Sequence, residues 1–148
     1  MQFTSIGRRR SEPPLKDLVR NILETKEFVI CFVQEPLTDA ANATVTELPP
    51  QTSEFDAVGL TREPSSVVRP PRVAESASAI EGGLFDTKRI NKDVVVFGEV
   101  VCVAVDQGVL RDGFPDPQLL NPAARLGRGH WSSLGPISAH RVPHYDEE

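Results

Sequence analysis

The sequence predicts a mainly β, α+β domain in which short helices flank a sheet, and three stretches carry that prediction. Val94 to Val105 is almost wholly apolar and dominated by valine, the composition of a strand covered on both faces. Ahead of it, Ile90-Asn91-Lys92-Asp93 reads as a hairpin turn, with the β-prone stretch Ala77 to Ile90 as the partner strand. Glu27 to Val33 is a third strand, crowded with Val, Ile and Phe and closed by Pro36.

In chain order, Gln2 to Gly7 is short and β-like, and Gly7 releases it into a turn. Pro13 and Pro14 precede a helix, because Leu15, Leu18, Val19, Ile22 and Leu23 follow a 3.6-residue period. That helix ends near Thr25 and turns Lys16, Asp17, Arg20, Asn21 and Glu24 away from the core. Thr38 to Leu48 has a weaker helical pattern, stopped by Pro49 and Pro50. Ser53 with Asp56 is a capping-box variant opening a single turn that carries Phe55 and Val58 inward and ends at Gly59.

Pro64, Pro70 and Pro71 break regular pairing between Thr61 and Glu75, so this segment reads as an extended surface connection bearing Arg62, Arg69 and Arg72. Gly98 interrupts the valine-rich strand and marks a bulge or a close backbone approach. Beside it stands Glu99, the only carboxylate in the apolar part of that run, to be read as a tuned acid or as a charge that is paired or faces outward. Leu110-Arg111-Asp112-Gly113 and Asp116-Pro117 are turn signals leading to a helical turn around Gln118 to Leu120. The expected organisation is one domain over residues 1–135 and a polar tail over 136–148, without internal repeats.

A chain of 148 residues with 39% hydrophobic residues, 6% aromatics and 13 prolines buries a modest core and has long irregular connections. No apolar run approaches the roughly 20 residues that cross a bilayer, and no secretory signal opens the chain, so a cytoplasmic protein without a membrane partner is expected. Cys31 and Cys102 lie in apolar strand-like runs and read as reduced, buried thiols. The three histidines and two cysteines have no tight metal-binding spacing, and Pro143 spoils the one helical pair, His140 and His144. Glycine fingerprints for nucleotides and local signatures of nucleophilic triads are absent too.

The most informative stretch for function runs from Ser5 to Asn21. Arg8, Arg9, Arg10 and Lys16 fall within nine residues of a chain whose formal net charge is -5. A loop that leaves a strand and opens a helix points free backbone N–H groups outward, and arginine forks with a lysine point charge complete a site for a phosphate monoester. The alternative is a solvated basic loop. Nucleic acid is not the expected partner, given the acidity of the whole and the few aromatics.

Several ordered motifs extend this reading over nearly the whole chain. They are Phe3-Thr4-Ser5-Ile6-Gly7-Arg8-Arg9, Lys16 to Thr25 with Glu27-Phe28-Val29-Ile30, and Asn42-Ala43-Thr44 through Leu48-Pro49-Pro50. Ser53-Glu54-Phe55-Asp56 with Gly59-Leu60-Thr61, Arg69 to Ser76, and Ala124 to Trp131 follow in order. Together they resemble the flavin reductase-like, FMN-binding split-barrel family. The resemblance implies a split β-barrel, partial because the family's preceding strands are expected to be missing before Met1. It also implies FMN as the cofactor and NADH or NADPH as the electron donor to a flavin or other acceptor.

By the same resemblance Ser5, Gly7, Arg8, Arg9, Lys16 and Asp17 surround the ribityl phosphate, Asp17 orienting Lys16 or the helix start. His130 and Trp131 approach the ring, and Gly127 and Gly129 let backbone come close to it. One departure is Lys16-Asp17-Leu18 where the family carries Lys-Asp-Thr, which removes a hydroxyl and weakens phosphate binding. The expected assembly is a homodimer through the apolar strand. The alternative is a remnant that dimerises without binding FMN productively, its uncovered sheet edges favouring association.

Overall fold

Two long strands and their tight hairpin set the frame, and everything else is placed against them. The computed structural model describes residues 2–4, 16–46, 48–49, 52–91 and 93–140. Its first element, β1 (Gln2–Thr4), is part of the expected Gln2 to Gly7 strand. Helix α1 (Asp17–Thr25) buries Val19 and Ile22, the i, i+3 stripe written in the sequence. It ends at Lys26, which adopts a left-handed conformation (φ 64°) and donates its N–H to the Ile22 carbonyl.

Strand β2 (Glu27–Cys31) follows at once, and a 3-10 turn at Glu35–Leu37 runs into α2 (Thr38–Ala43). The second helix stops short of Leu48, its last turn closed by bonds from Thr44 N–H to the Ala40 carbonyl and from Thr44 Oγ1 to the Ala41 carbonyl. Threonine side chains that bond backward in this way compete with helix propagation. Helix α3 (Glu54–Val58) begins after an extended Ser53 and ends at Gly59 with φ 73°. The expected capping box does not form, since the Ser53 side chain makes no cap bond.

Residues 61–75 are more than a surface connection: β3 (Arg62–Glu63) pairs antiparallel with β4 (Arg72–Val73), and Val68 between them is buried. Next come β5 (Ser78–Ile90) and β6 (Asp93–Val105), joined by the expected hairpin with Asn91 at φ 55°. The sheet order is β1-β6-β5-β2, with every neighbour antiparallel. Beyond it lie a small hairpin of β7 (Leu110–Arg111) and β8 (Phe114–Pro115), then α4 (Pro117–Leu120). Asp116 caps α4 by accepting the N–H groups of Gln118 and Leu119, while Pro117 occupies the first helical position. The last described strands are β9 (Ala124–Gly127) and β10 (His130–Ser132).

Ile22, Phe28 and Val96 form the buried cluster, with Ile30, Leu84 and Val94 packed against it. The end of the Phe28 ring sits against two glycines in adjacent strands. A Cβ on Gly82 would stand 2.7 Å from the ring, and one on Gly98 closer still. The expectation for Gly98 was a bulge or a close approach. The structure shows the approach at Gly98 and a ladder irregularity beside it, where Phe85 is skipped between the Leu84–Gly98 and Asp86–Phe97 pairs; a second skips Val101 of β6 between the Glu81–Cys102 and Gly82–Val100 pairs.

Strand β6 is covered over only part of its length. Val95 and Val96 are buried, whereas Val100, Val101 and Val103 are 49%, 44% and 57% exposed. β1 pairs only with Val95, Val96 and Phe97, which leaves the far end of β6 without a neighbour on that side among the described residues. Cys31 and Cys102 are free and half-buried, not fully buried. They sit opposite Ala79 and Glu81 on the two sides of β5, about 12 Å apart by two strand spacings and a two-residue offset, which is too far for a disulfide.

Candidate functional site

Helix α1 opens at Lys16, which is extended (φ -55°, ψ 146°) and exposed and offers no side-chain cap, so the first N–H groups of the helix keep their outward bonding capacity. Its ammonium has no partner among the described residues. Asp17 was expected to orient Lys16 or the helix start, but its carboxylate instead takes Arg20 at 2.6 Å, an exposed i, i+3 pair. Arg20 therefore offsets Asp17 on the first turn and leaves Lys16 as the cation of the helix start. Ser5, Gly7, Arg8 and Arg9 lie outside the described residues.

The second group of expected site residues sits on the β9–β10 hairpin. His130 pairs with Gly127 and Trp131 with Arg125, with a register shift between His130 and Trp131. Gly127 (φ 93°), Arg128 (φ 52°) and Gly129 (φ 78°) make the turn. The glycines supply the positive φ of the turn, and no described protein atom lies within 4 Å of a Cβ on either, which leaves the space beside their backbone open. His130 is exposed. Trp131 is half-buried, and its Nε1 is shielded from solvent with no hydrogen-bond partner among the described residues. An indole N–H in that state is a donor awaiting an acceptor. No described hydrogen bond or ion pair joins this hairpin to the start of α1.

One carboxylate escaped the sequence reading. Glu81 of β5 has no solvent exposure, and its oxygens accept the backbone N–H groups of Ser66 and Val67 at 2.7 Å each and of Val68 at 3.2 Å. Desolvation pushes its acidity down, yet the backbone donors outweigh it and hold the pKa below the ordinary glutamate value. Glu99, the carboxylate singled out from the sequence, is exposed. The signal for Glu81 was of the same kind, a lone charge in the β-prone run Ser78-Ala79-Ile80-Glu81.

The strap is clipped again one residue beyond Val68. Arg69 donates its backbone N–H and its Nε to Glu27 at 3.0 and 2.9 Å, and Nη2 to the Thr25 carbonyl at 2.7 Å. The Arg69 guanidinium beside Glu27 lowers the pKa of that carboxyl. Burial raises the Cys31 thiol, against an opposing N–H from Val73, so it stays a protonated packing group. Among the described residues no cluster of three or more metal-binding side chains occurs, and no helix is long and apolar enough to cross a membrane.

The chain matches the flavin reductase like domain family over residues 6–123. It is 34% identical over 119 residues to an uncharacterized protein of Aquifex aeolicus, covering 80% of this chain and 61% of that protein. It is also 34% identical to the uncharacterized protein BH2278 of Halalkalibacterium halodurans, covering 88% of this chain and 65% of the other. The chain thus spans less than two thirds of the length of these relatives. Among solved structures it is similar to nitrilotriacetate monooxygenase component B from Bacillus cereus, with 26% identity, a TM-score of 0.82, and coverage of 93% and 70% of the two chains. It is likewise similar to flavoredoxin of Desulfovibrio vulgaris, with 26% identity, a TM-score of 0.76, and coverage of 94% and 73%. The strand-rich α+β architecture is shared with these split-barrel proteins. By a match across most of its length, this chain belongs to the flavin reductase like domain family.

Proposed function

We propose that this domain binds FMN and serves electron transfer from NADH or NADPH to a second flavin or another small acceptor. The observation that carries the proposal is the family match over residues 6–123, and the similarity to a flavoredoxin supports it. Two features of the chain fit the cofactor. Lys16 and the uncapped start of α1 suit a phosphate, and the unpartnered Trp131 N–H suits an acceptor atom on a flavin ring.

When bound, the flavin supplies the redox chemistry. The chain supplies position and charge. Lys16 neutralises the phosphate together with the sequence-assigned Arg8 and Arg9, with Ser5 and Gly7 beside it, while Asp17 stays engaged with Arg20. Leu18, 64% exposed beside this turn, offers no hydroxyl, so more of the affinity falls to Lys16. Trp131 donates its N–H to the ring and excludes water with its indole face, and His130 stands exposed beside it.

Titrating the purified chain with FMN and following flavin fluorescence tests this. Saturable quenching is expected, with Lys16→Ala weakening binding about tenfold through loss of one charge-assisted contact. Trp131→Phe keeps the ring and loses the donor, weakening binding a further few fold. A chain that leaves FMN fluorescence unchanged would instead be the non-enzymatic remnant.

A second copy of the chain is proposed as the cover for the exposed Val100, Val101 and Val103 of β6. Exposed apolar side chains along a strand with one edge open among the described residues gain from burial and from completing the ladder. Sedimentation should then show a dimer that Val103→Lys dissociates. A monomeric wild type at micromolar concentration would refute this assembly.

A further inference from the structure

We propose that the cleft between α1, the start of β2, α3 and the segment Arg69-Pro70-Pro71 binds a monocarboxylate with an aromatic or compact apolar body. The proposal goes beyond the flavin reading and does not depend on it. The cleft measures about 510 Å³, within the range of small-molecule sites. Ile22 and Phe28 form part of its wall from the core side, and Leu18, Phe55, Pro70 and Pro71 complete the apolar lining. Phe55 is held in place, because the Arg62 guanidinium lies over its ring at 5.0 Å from the centroid and is itself forked onto Asp56 at 2.7 and 2.8 Å.

The polar groups on this apolar wall decide the ligand class. Arg69 lines the cleft, and one edge of its guanidinium is already committed, Nε to Glu27 and Nη2 to the Thr25 carbonyl. The opposite edge, Nη1 with the second hydrogen of Nη2, has no partner among the described residues. That edge is a two-donor fork of the shape a carboxylate fills. Asn21 also lines the cleft, and its side-chain amide is without a partner among the described residues. Glu27 limits the charge: paired with Arg69 it leaves the site near neutral, so a carboxylate is held by the directed fork of N–H donors and not by net charge, and a second negative group finds no further cation here among the described residues.

The test uses the full chain, isotope-labelled, in NMR titrations with phenylacetate and with phenylacetamide, which has the same ring and no charge. Phenylacetate is expected to shift Asn21, Phe55 and the Arg69 Nε–H resonance with millimolar affinity, and phenylacetamide to bind about tenfold more weakly. Phe55→Ala, which leaves the Arg69 clips intact, should weaken phenylacetate several fold. Equal affinity for the two compounds, shifts confined to another part of the molecule, or no shifts would each overturn the proposal. So would displacement of phenylacetate from these residues by FMN, since the cleft would then belong to the flavin site. Failure of FMN to bind anywhere leaves these readouts unaffected, so the two proposals fail separately.

Discussion

Glu81→Gln should lower the unfolding free energy by about 2 to 3 kcal/mol, an unusually large loss for so conservative a change. The carboxylate accepts from Ser66, Val67 and Val68, and solvent does not reach it. Glutamine can offer one oxygen, but its amide nitrogen must then face a backbone N–H, so donor meets donor and at least one buried group loses its bond. Urea unfolding measures the loss. Hydrogen exchange locates it, because Ser66, Val67 and Val68 should lose protection before the rest of the sheet.

The pH dependence has a defined sign. A carboxylate whose pKa is lowered by folding contributes its full stability above its ordinary value, near 4.5 for Glu81, and that stability is lost as pH falls through the folded value. Glu27, Asp56 and Glu75 are lowered as well, by Arg69, by Arg62 and by Thr61 respectively, and act in the same direction. The wild type should therefore hold a plateau above about pH 5 and weaken below it, and the Glu81→Gln variant should fall less steeply. Identical acid slopes, with unchanged exchange at residues 66–68, would rule out the strap as a carboxylate-dependent element.

Gly98→Ala should cost about 2 to 3 kcal/mol, since its new methyl group would occupy space that the Phe28 ring fills. The ring has little room to slide toward β5, because it already sits close against Gly82 there. Gly83→Ala is the control: nothing lies within 4 Å of a Cβ at that position, so the change should stay within about 0.5 kcal/mol. Phe28→Leu removes the ring and is destabilising by itself, but it should relieve part of the Gly98→Ala penalty. A double-mutant cycle by thermal unfolding should show at least about 1 kcal/mol of coupling, and additivity within about 0.5 kcal/mol would mean that ring and glycine do not meet.

Elements whose causes are local could be read from the chain. Helix α1 follows from the spacing of Val19 and Ile22, the central hairpin from Ile90-Asn91-Lys92-Asp93, and the α4 turn from Asp116-Pro117. Gly98 was marked as a bulge or a close approach and stands at both, although the sequence could not name Phe28 as the approaching group. The site was legible to a lesser degree. Lys16 stands at a helix start as expected, but Asp17 turned to Arg20, a choice between neighbours that spacing alone left open. Trp131 keeps a shielded Nε1 without a partner among the described residues, and the glycines beside it have the positive φ of turn residues.

By itself the sequence determined the family, the hairpin, the helix start and the absence of any long apolar run, because each of these depends on residues close along the chain or on the order of motifs. Only the tertiary structure decided which lone carboxylate is buried, Glu81 and not Glu99, and that residues 61–75 are a strap and not a surface link. It also brought Arg69 to Glu27 and left the end of β6 bare. The physical reason is register. Glu81 meets Ser66 across 15 positions and Glu27 meets Arg69 across 42, and such pairings exist only once the strands have aligned.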